Sequence, residues 1–483
     1  MIACDDIQPG VLCRPGKRLI PGRFLALLAL GALISLLGFH VSPETAQAEE
    51  VTEIAGTVLD SEGKPVANAW VTDGDTYTFT DAQGIFVFDS GKVVPGSSLL
   101  ASSAGFQQQL VVAPNNGDPM KIVMTDSAVR GLYFNPQLSN TPEAVANYIQ
   151  IAKTTEVNAV VIDVKENVVY FDTANPVFKQ ANMVLPILDL PWLINEFHAN
   201  GIYVIARIVV FKDSPVAEAH PEYAVLDSQT GNLWRDKNGA AWVNPMNREM
   251  WEANIQLAEE VIGLGFDEVQ YDYIRFPTDG NMARAWFGVD YTPEGREAAI
   301  EGFLTESRSR IIPLGGRQSA DVFGYTAVID HDLGIGQNFD DLADTVDYIS
   351  PMIYPSHWPA GSLYGVPGHP NDYPYLTVSI SMNAAVNQLD GNRRQIRPWL
   401  QDFGLPGQYR YGAPEVRAQI DALNDLGIDS WLIWSPSNWF HVDAFKLDPT
   451  PDSVPTVEPA ATLNPNHRNR HRVAEITSAT VSH

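Results

Sequence analysis

The chain has 483 residues, 45% of them apolar, which is room for two or three domains with real cores. Its formal net charge is −27, with a pI near 4.6. That excess excludes recognition of nucleic acid through its phosphates, which needs basic patches, and disfavours docking on anionic lipid; it does not specify a substrate.

The N-terminus reads as an export signal. Arg14, Lys17, Arg18 and Arg23 form a basic region, "FLALLALGALISLLGF" (24–39) is an apolar run, and "AQA" (46–48) offers small residues for cleavage. The run is short for a membrane span. Residues 1–48 are therefore expected to be removed, leaving a periplasmic or secreted chain without a membrane span. Cys4 and Cys13 both precede the run. The mature chain then has no disulfide, no thiolate nucleophile and no Cys-ligated metal.

Residues 51–125 have an all-β texture. "EIAGTVLDSEGKPVANAWVTDGDTYTFTDAQGIFVFDSG" alternates short apolar runs with turn signals, which predicts a small antiparallel sandwich. Gly56, Val58, Asp60, Gly63, Pro65, Ala69 and Val71, followed by Thr80, Asp81, Gly84, Phe86 and Phe88, resemble the carboxypeptidase regulatory-like, transthyretin-like module. These positions serve turns and core, so the resemblance implies an accessory role.

From residue 129 the rhythm changes to α/β. "VRGLYFNP" (129–136) reads as a strand and "TPEAVANYIQIAKTTE" (141–156) as a helix, with Thr141 as its cap and Pro142 at its first position. Further strands are predicted at 158–165, 202–211, 266–273, 319–328, 346–355, 396–403 and 429–436, with helical runs between most of them. Eight strands alternating with helices predict a (β/α)8 TIM barrel over 129–445. An open doubly wound sheet would more often carry a Gly-rich phosphate loop after its first strand, and "YFNPQLSNTP" is not one. The tail, 448–483, lacks periodicity and aromatic residues and is expected to be disordered.

In such barrels chemistry gathers at the C-terminal ends of the strands. Polar residues stand at those positions: Asp163 and Lys165 on the second strand, Arg207 on the third, Gln270, Asp272 and Arg275 on or after the fourth. Asp332 follows the fifth, Tyr354 and His357 the sixth, Gln401 and Asp402 the seventh, and Trp434 ends the eighth. An inward-facing charge is costly unless paired, so Asp272 either works chemically or balances Arg207 or Arg275. Tyr271, Tyr273, Phe276, Tyr354, Trp358, Trp399, Trp434 and Trp439 also lie near strand ends, and alternation sends about half of them inward. Flat apolar walls beside carboxylates suit a sugar ring, and two carboxylates flanking a glycosidic bond are the usual machinery for cleaving it. There is no H-E-x-x-H, no other tight metal spacing and no G-x-S-x-G elbow; neither metal nor cofactor is expected.

The motifs "GFDEVQYDYIRFP", "ADVFG", "DLGIGQ", "YISPMIYPSHW", "IRPWLQDF" and "WLIWSPSNWF", in this order over roughly 129–440, resemble a bacterial glycosyl hydrolase family built on a domain of unknown function. The fourth strand is also similar to the D-x-x-D-x-D-x-E strand of chitinases. Asp267 and Asp272 match, but Gln270 replaces an Asp and Ile274 stands where the catalytic Glu belongs, so chitinase chemistry lacks its proton donor. The resemblance implies a glycoside hydrolase acting on an extracellular or envelope polysaccharide. Asp272 is its first carboxylate, and Asp402, or else Asp332, its partner. Asp163, Lys165, Arg207, Gln270, Arg275, Tyr354, His357, Gln401 and Trp434 are expected to bind substrate. The alternative is a glycan-binding barrel without catalysis.

Overall fold

A computed structural model describes residues 53–89, 91–288 and 291–445. The export pattern of residues 1–48 and the C-terminal tail lie outside the described residues.

Eight parallel strands close into a barrel in chain order: β1 (Arg130–Phe134), β2 (Ala159–Lys165), β3 (Tyr203–Val209), β4 (Glu268–Asp272), β5 (Arg317–Phe323), β6 (Tyr348–Ile353), β7 (Trp399–Gln401) and β8 (Trp431–Trp434). All eight fall within, or within two residues of, the predicted segments. Helices alternate with them, and local sequence sets their ends. Thr141 accepts the Ala144 N–H ahead of Pro142–Thr154. Asn247 accepts the Met250 N–H ahead of Arg248–Leu264, which stops at Gly265, φ 115°.

The strands carry two kinds of side chain. Outward residues such as Val160, Ile162, Val204 and Tyr271 pack against the helices in one large core. Inward residues form a separate apolar cluster that includes Tyr133, Val161, Ile205, Tyr348, Trp399 and Leu432. Polar groups punctuate this interior in layers. At the N-terminal end of the barrel, Glu268 takes a fully buried ion pair from Arg397 and accepts from Ser319 Oγ and, at 3.1 Å, from Tyr203 Oη. The carboxylate is satisfied on both oxygens, which is what makes a charge tolerable there.

Residues 54–124 form two small sheets. Ile54–Asp60 lies between Ile85–Phe88 and Met120–Met124, while the second sheet runs Tyr77–Phe79, Trp70–Thr72, Ser98–Ser102, Gln109–Val112, each strand paired with the next. One pairing departs from the antiparallel expectation: Ile54–Asp60 and Met120–Met124 run parallel. Alternation in a strand reports which face is buried but not which direction the neighbour runs. Val58, Val71, Phe86, Phe88, Leu99 and Ile122 fill the shared core. Gly84 is required by its turn, because at φ 72° a Cβ would lie 2.5 Å from the Val58 carbonyl oxygen.

These sheets sit on the N-terminal mouth of the barrel. Buried Arg317 donates to Ser102 Oγ (2.9 Å) and to the Phe106 carbonyl (2.6 Å), and Tyr348 Oη accepts the Gly105 N–H (2.9 Å). Trp70 is fully buried against Leu100 and Ile312, with its Nε1–H on Asp347 Oδ1 at 2.9 Å. The β module thus closes the end of the barrel opposite the candidate site.

A candidate active-site cleft at the strand ends

The site grows out of the register of β2 to β5. Arg207 stands beside Asp163 across one ladder and beside Gln270 across the other, and Val209 pairs with Asp272 one inward step higher. A long side chain on β3 therefore reaches acids on both neighbours. Arg207 Nη1 pairs with Asp163 Oδ1 and Nη2 with Asp272 Oδ2, and its Nε lies 3.7 Å from Asp321 Oδ2. Its guanidinium also sits 5.1 Å from the centre of the Trp434 ring.

One buried guanidinium cannot balance three buried carboxylates, so protons must stay in the cluster. Burial is the largest influence on Asp163 and raises it, against the opposing pull of Arg207 and the Tyr133 hydroxyl. Burial, reinforced by the charge of Asp272, holds Asp321 well above the ordinary aspartate range, although Arg207 and the Trp399 N–H oppose this. Asp321 Oδ1 accepts from Trp399 Nε1 at 2.8 Å. Asp272 is held differently. One oxygen meets Arg207 and the other accepts the N–H of Tyr273, whose φ of 52° turns the chain sharply just past the strand. A tyrosine in that backbone region is strained, and here the turn delivers an amide to the carboxylate.

Above the cluster opens a cleft of about 610 Å³, within the usual range for a small-molecule or oligosaccharide site. Asp272, Asp321, Arg207 and Arg275 line it, with Tyr273, Phe323, Tyr325, Tyr354, Trp358, Trp399 and Trp434 as aromatic walls. His357 also lines it and is pushed down from its ordinary pKa by burial, so it is neutral at physiological pH. Of the strand-end aromatics named from the sequence, Tyr273, Tyr354, Trp358, Trp399 and Trp434 face this space. Tyr271 and Phe276 are buried in the outer core, and Trp439 packs edge-on to His441.

The remaining sequence candidates are placed as follows. Asp163 lies beneath the cleft, fully engaged by Tyr133 and Arg207. Lys165 is buried in an ion pair with Asp213 at 2.7 Å, away from the cleft lining. Gln270 is buried below Asp272 and donates to Ser350 Oγ at 3.3 Å. Gln401 accepts the Ser356 N–H and so fixes the turn that carries His357. Asp402 does not line the cleft; it accepts both the backbone N–H and the imidazole Nδ1 of His441. Asp332 is likewise outside, bound by Arg296 and by the amides of Gly334 and Gly336. Asp267, the other acid matching the chitinase pattern, is held by His198 and the Val204 N–H.

The acid that joins Asp272 in the cleft is Asp321, which the sequence reading passed over. Its signal was present: an aspartate between Ala320 and Val322, two residues from the end of its strand, with the same parity as Ser319 and Arg317. Among the described residues, no group of His, Cys, Asp and Glu is arranged to hold a metal ion, and no helix is long and apolar enough to cross a membrane.

The fold and cleft together define a (β/α)8 barrel with two carboxylates and aromatic walls in a cleft at the C-terminal ends of its strands. The family model described as "Putative glycosyl hydrolase domain" matches residues 131–440, and the chain belongs to that family. None of the curated proteins matches it. Among solved structures, a hypothetical protein from Ruminiclostridium thermocellum ATCC 27405 is 32% identical over 40% of this chain and 97% of its own, with a TM-score of 0.36. The PgaB (BpsB) glycoside hydrolase domain from Bordetella bronchiseptica is 13% identical over 65% of this chain and 95% of its own, with a TM-score of 0.50. The Bacillus cereus spore cortex-lytic enzyme SleL is 12% identical over 70% and 75%, with a TM-score of 0.39. At its identity the PgaB likeness shows the barrel fold alone.

Proposed function

We propose that this chain hydrolyses glycosidic bonds in an extracellular or envelope polysaccharide, with Asp272 and Asp321 as its working carboxylates. The observation that carries the reading is that acids from adjacent strands enter one aromatic cleft in contrasting environments. Asp321, desolvated and facing another carboxylate, is raised well above the ordinary aspartate range; Asp272 is ion-paired with Arg207 and accepts the Tyr273 N–H. Such a split separates the roles of acid and base. Asp321 gives its proton to the leaving glycosidic oxygen, so the bond to the anomeric carbon breaks without expelling an alkoxide. Asp272 either attacks that carbon or takes a proton from the attacking water. Trp434 and Tyr354 offer faces on which sugar C–H groups stack, and Arg207 fixes the orientation of Asp272. The basic, apolar and small-residue pattern of residues 14–48 supports export to where such polymers are found.

The test is to incubate purified protein with a panel of bacterial exopolysaccharides and cell-wall glycans and follow new reducing ends. Turnover on at least one glycan is expected, and NMR of the first-formed anomer then assigns Asp272 as nucleophile or as base. Tight binding with no turnover on any glycan would assign the carboxylates to recognition and replace hydrolysis with a lectin-like role.

A further inference from the structure

Arg275 is a second guanidinium in the cleft, and the chemistry above does not use it. It follows β4 and is surrounded by rings, its central carbon lying 4.9 Å from Trp242, 5.3 Å from Tyr273 and 4.9 Å from Phe323. Its only hydrogen bond among the described residues runs from Nη1 to the Phe276 carbonyl at 3.0 Å, and no carboxylate there approaches closely enough for an ion pair. The acids that act on it through space are committed elsewhere. Asp272 is held by Arg207, Asp279 pairs with Lys237 at 3.0 Å, and Asp236 accepts from two turn amides and from Trp242 Nε1. In a chain of net charge −27, a largely desolvated cation facing the cleft without a carboxylate partner is unusual. Rings can support the charge, but most of its N–H donors remain uncommitted.

We infer that Arg275 reads a carboxylate on the substrate, so that the cleft takes a uronic-acid-containing polysaccharide. A guanidinium is planar and matches a carboxylate with two parallel N–H donors. The rings flank the guanidinium and restrict the plane of its fork. A uronic acid residue supplies both partners the site displays, a ring face for the aromatic walls and a carboxylate for Arg275. Amino sugars are disfavoured, because an ammonium group would meet Arg275 with like charge.

This inference rests on the proposed glycoside-binding cleft and is tested by binding, separately from turnover. Calorimetry measures oligosaccharides of glucuronate, galacturonate and mannuronate against their carboxyl-reduced counterparts and against a glucosamine oligomer. At least one acidic oligosaccharide is expected to bind about tenfold or more tightly than its reduced form. Arg275→Gln is expected to abolish that preference, and Arg275→Lys to keep part of it, with thermal unfolding confirming that both variants are folded. Should Arg275→Gln not fold, the parent's preference and the Arg275→Lys reduction decide. Equal binding of acidic and reduced forms, tighter binding of glucosamine oligomers, or a preference unchanged in a folded Arg275→Gln protein overturns the inference. Hydrolysis of neutral glycans without acidic preference refutes this inference and leaves the proposed hydrolase standing; acidic preference without hydrolysis does the reverse.

Discussion

Trp70 is the main apolar link between the β module and the barrel, and replacing it by alanine tests whether the two are energetically one body. The side chain is fully buried. Removing a tryptophan that buries about 150–250 Å², at about 25 cal/mol per Å², forfeits roughly 4–6 kcal/mol. Trp→Ala substitutions in cores cost about 3–5 kcal/mol, which we take as the expected range. The lost hydrogen bond adds little, because Asp347 keeps Arg308 (3.2 Å) and the Gln318 N–H (2.8 Å) as partners. Urea unfolding of W70A, followed by far-UV dichroism and intrinsic fluorescence, should show the midpoint of the barrel transition falling with the module. Val123→Ala, at a half-exposed position of the same module, is the control and should cost under about 1 kcal/mol. A W70A loss confined to a separate, low-amplitude module transition, with the barrel midpoint unchanged, would refute the reasoning. Removing residues 51–125 altogether should be worse, because it strips the buried Arg317 of its acceptors.

Three other outcomes are expected. Arg207→Met leaves Asp163, Asp272 and Asp321 without their cation and should cost about 3–5 kcal/mol at neutral pH, with the deficit shrinking as the pH falls and the carboxylates protonate; denaturation at two pH values checks this. Asp321 has a raised folded pKa, so its contribution to stability is full below the unfolded value of about 3.9 and is lost as pH rises through the folded value; Asp321→Asn should flatten that part of the stability curve and also remove the alkaline limb of kcat/KM. Asp402→Ala, which strips His441 of its acceptor outside the cleft, should cost about 1–3 kcal/mol in stability with kcat within about twofold of the parent; a far larger kinetic loss would bring Asp402 back into the chemistry.

The barrel was legible because strand-forming runs recur between helical periods, many of them capped, and both signals are local. The cleft was legible in outline for a related reason: β4 ends on Asp272 and β3 carries Arg207 at positions whose parity points inward. The second carboxylate was not. Asp402 stands next to Gln401, so a one-residue change in register decides which enters the barrel, and its partner His441 arrives from beyond β8. Asp332 owes its environment to Arg296 on a preceding helix. Asp321 follows Ser319 and Ala320 in a strand whose polar residues blur the inward pattern, and its proximity to Asp272 exists only once β4 and β5 pair. The seat of the β module on the barrel was equally invisible, since Trp70 reads as core whether it packs within the module or against Ile312.

The most direct test of the central claim compares Asp272→Asn and Asp321→Asn with the parent on one hydrolysed glycan, measuring kcat/KM and, separately, glycan affinity. Both substitutions keep the shape while removing the ionisable carboxyl group. The account predicts that each lowers hydrolysis by about 10²–10⁴ with affinity within a few fold, and that the double variant loses little beyond the worse single one, because acid and base act as a unit. A folded Asp321→Asn protein that hydrolyses at near-parental rate would contradict it.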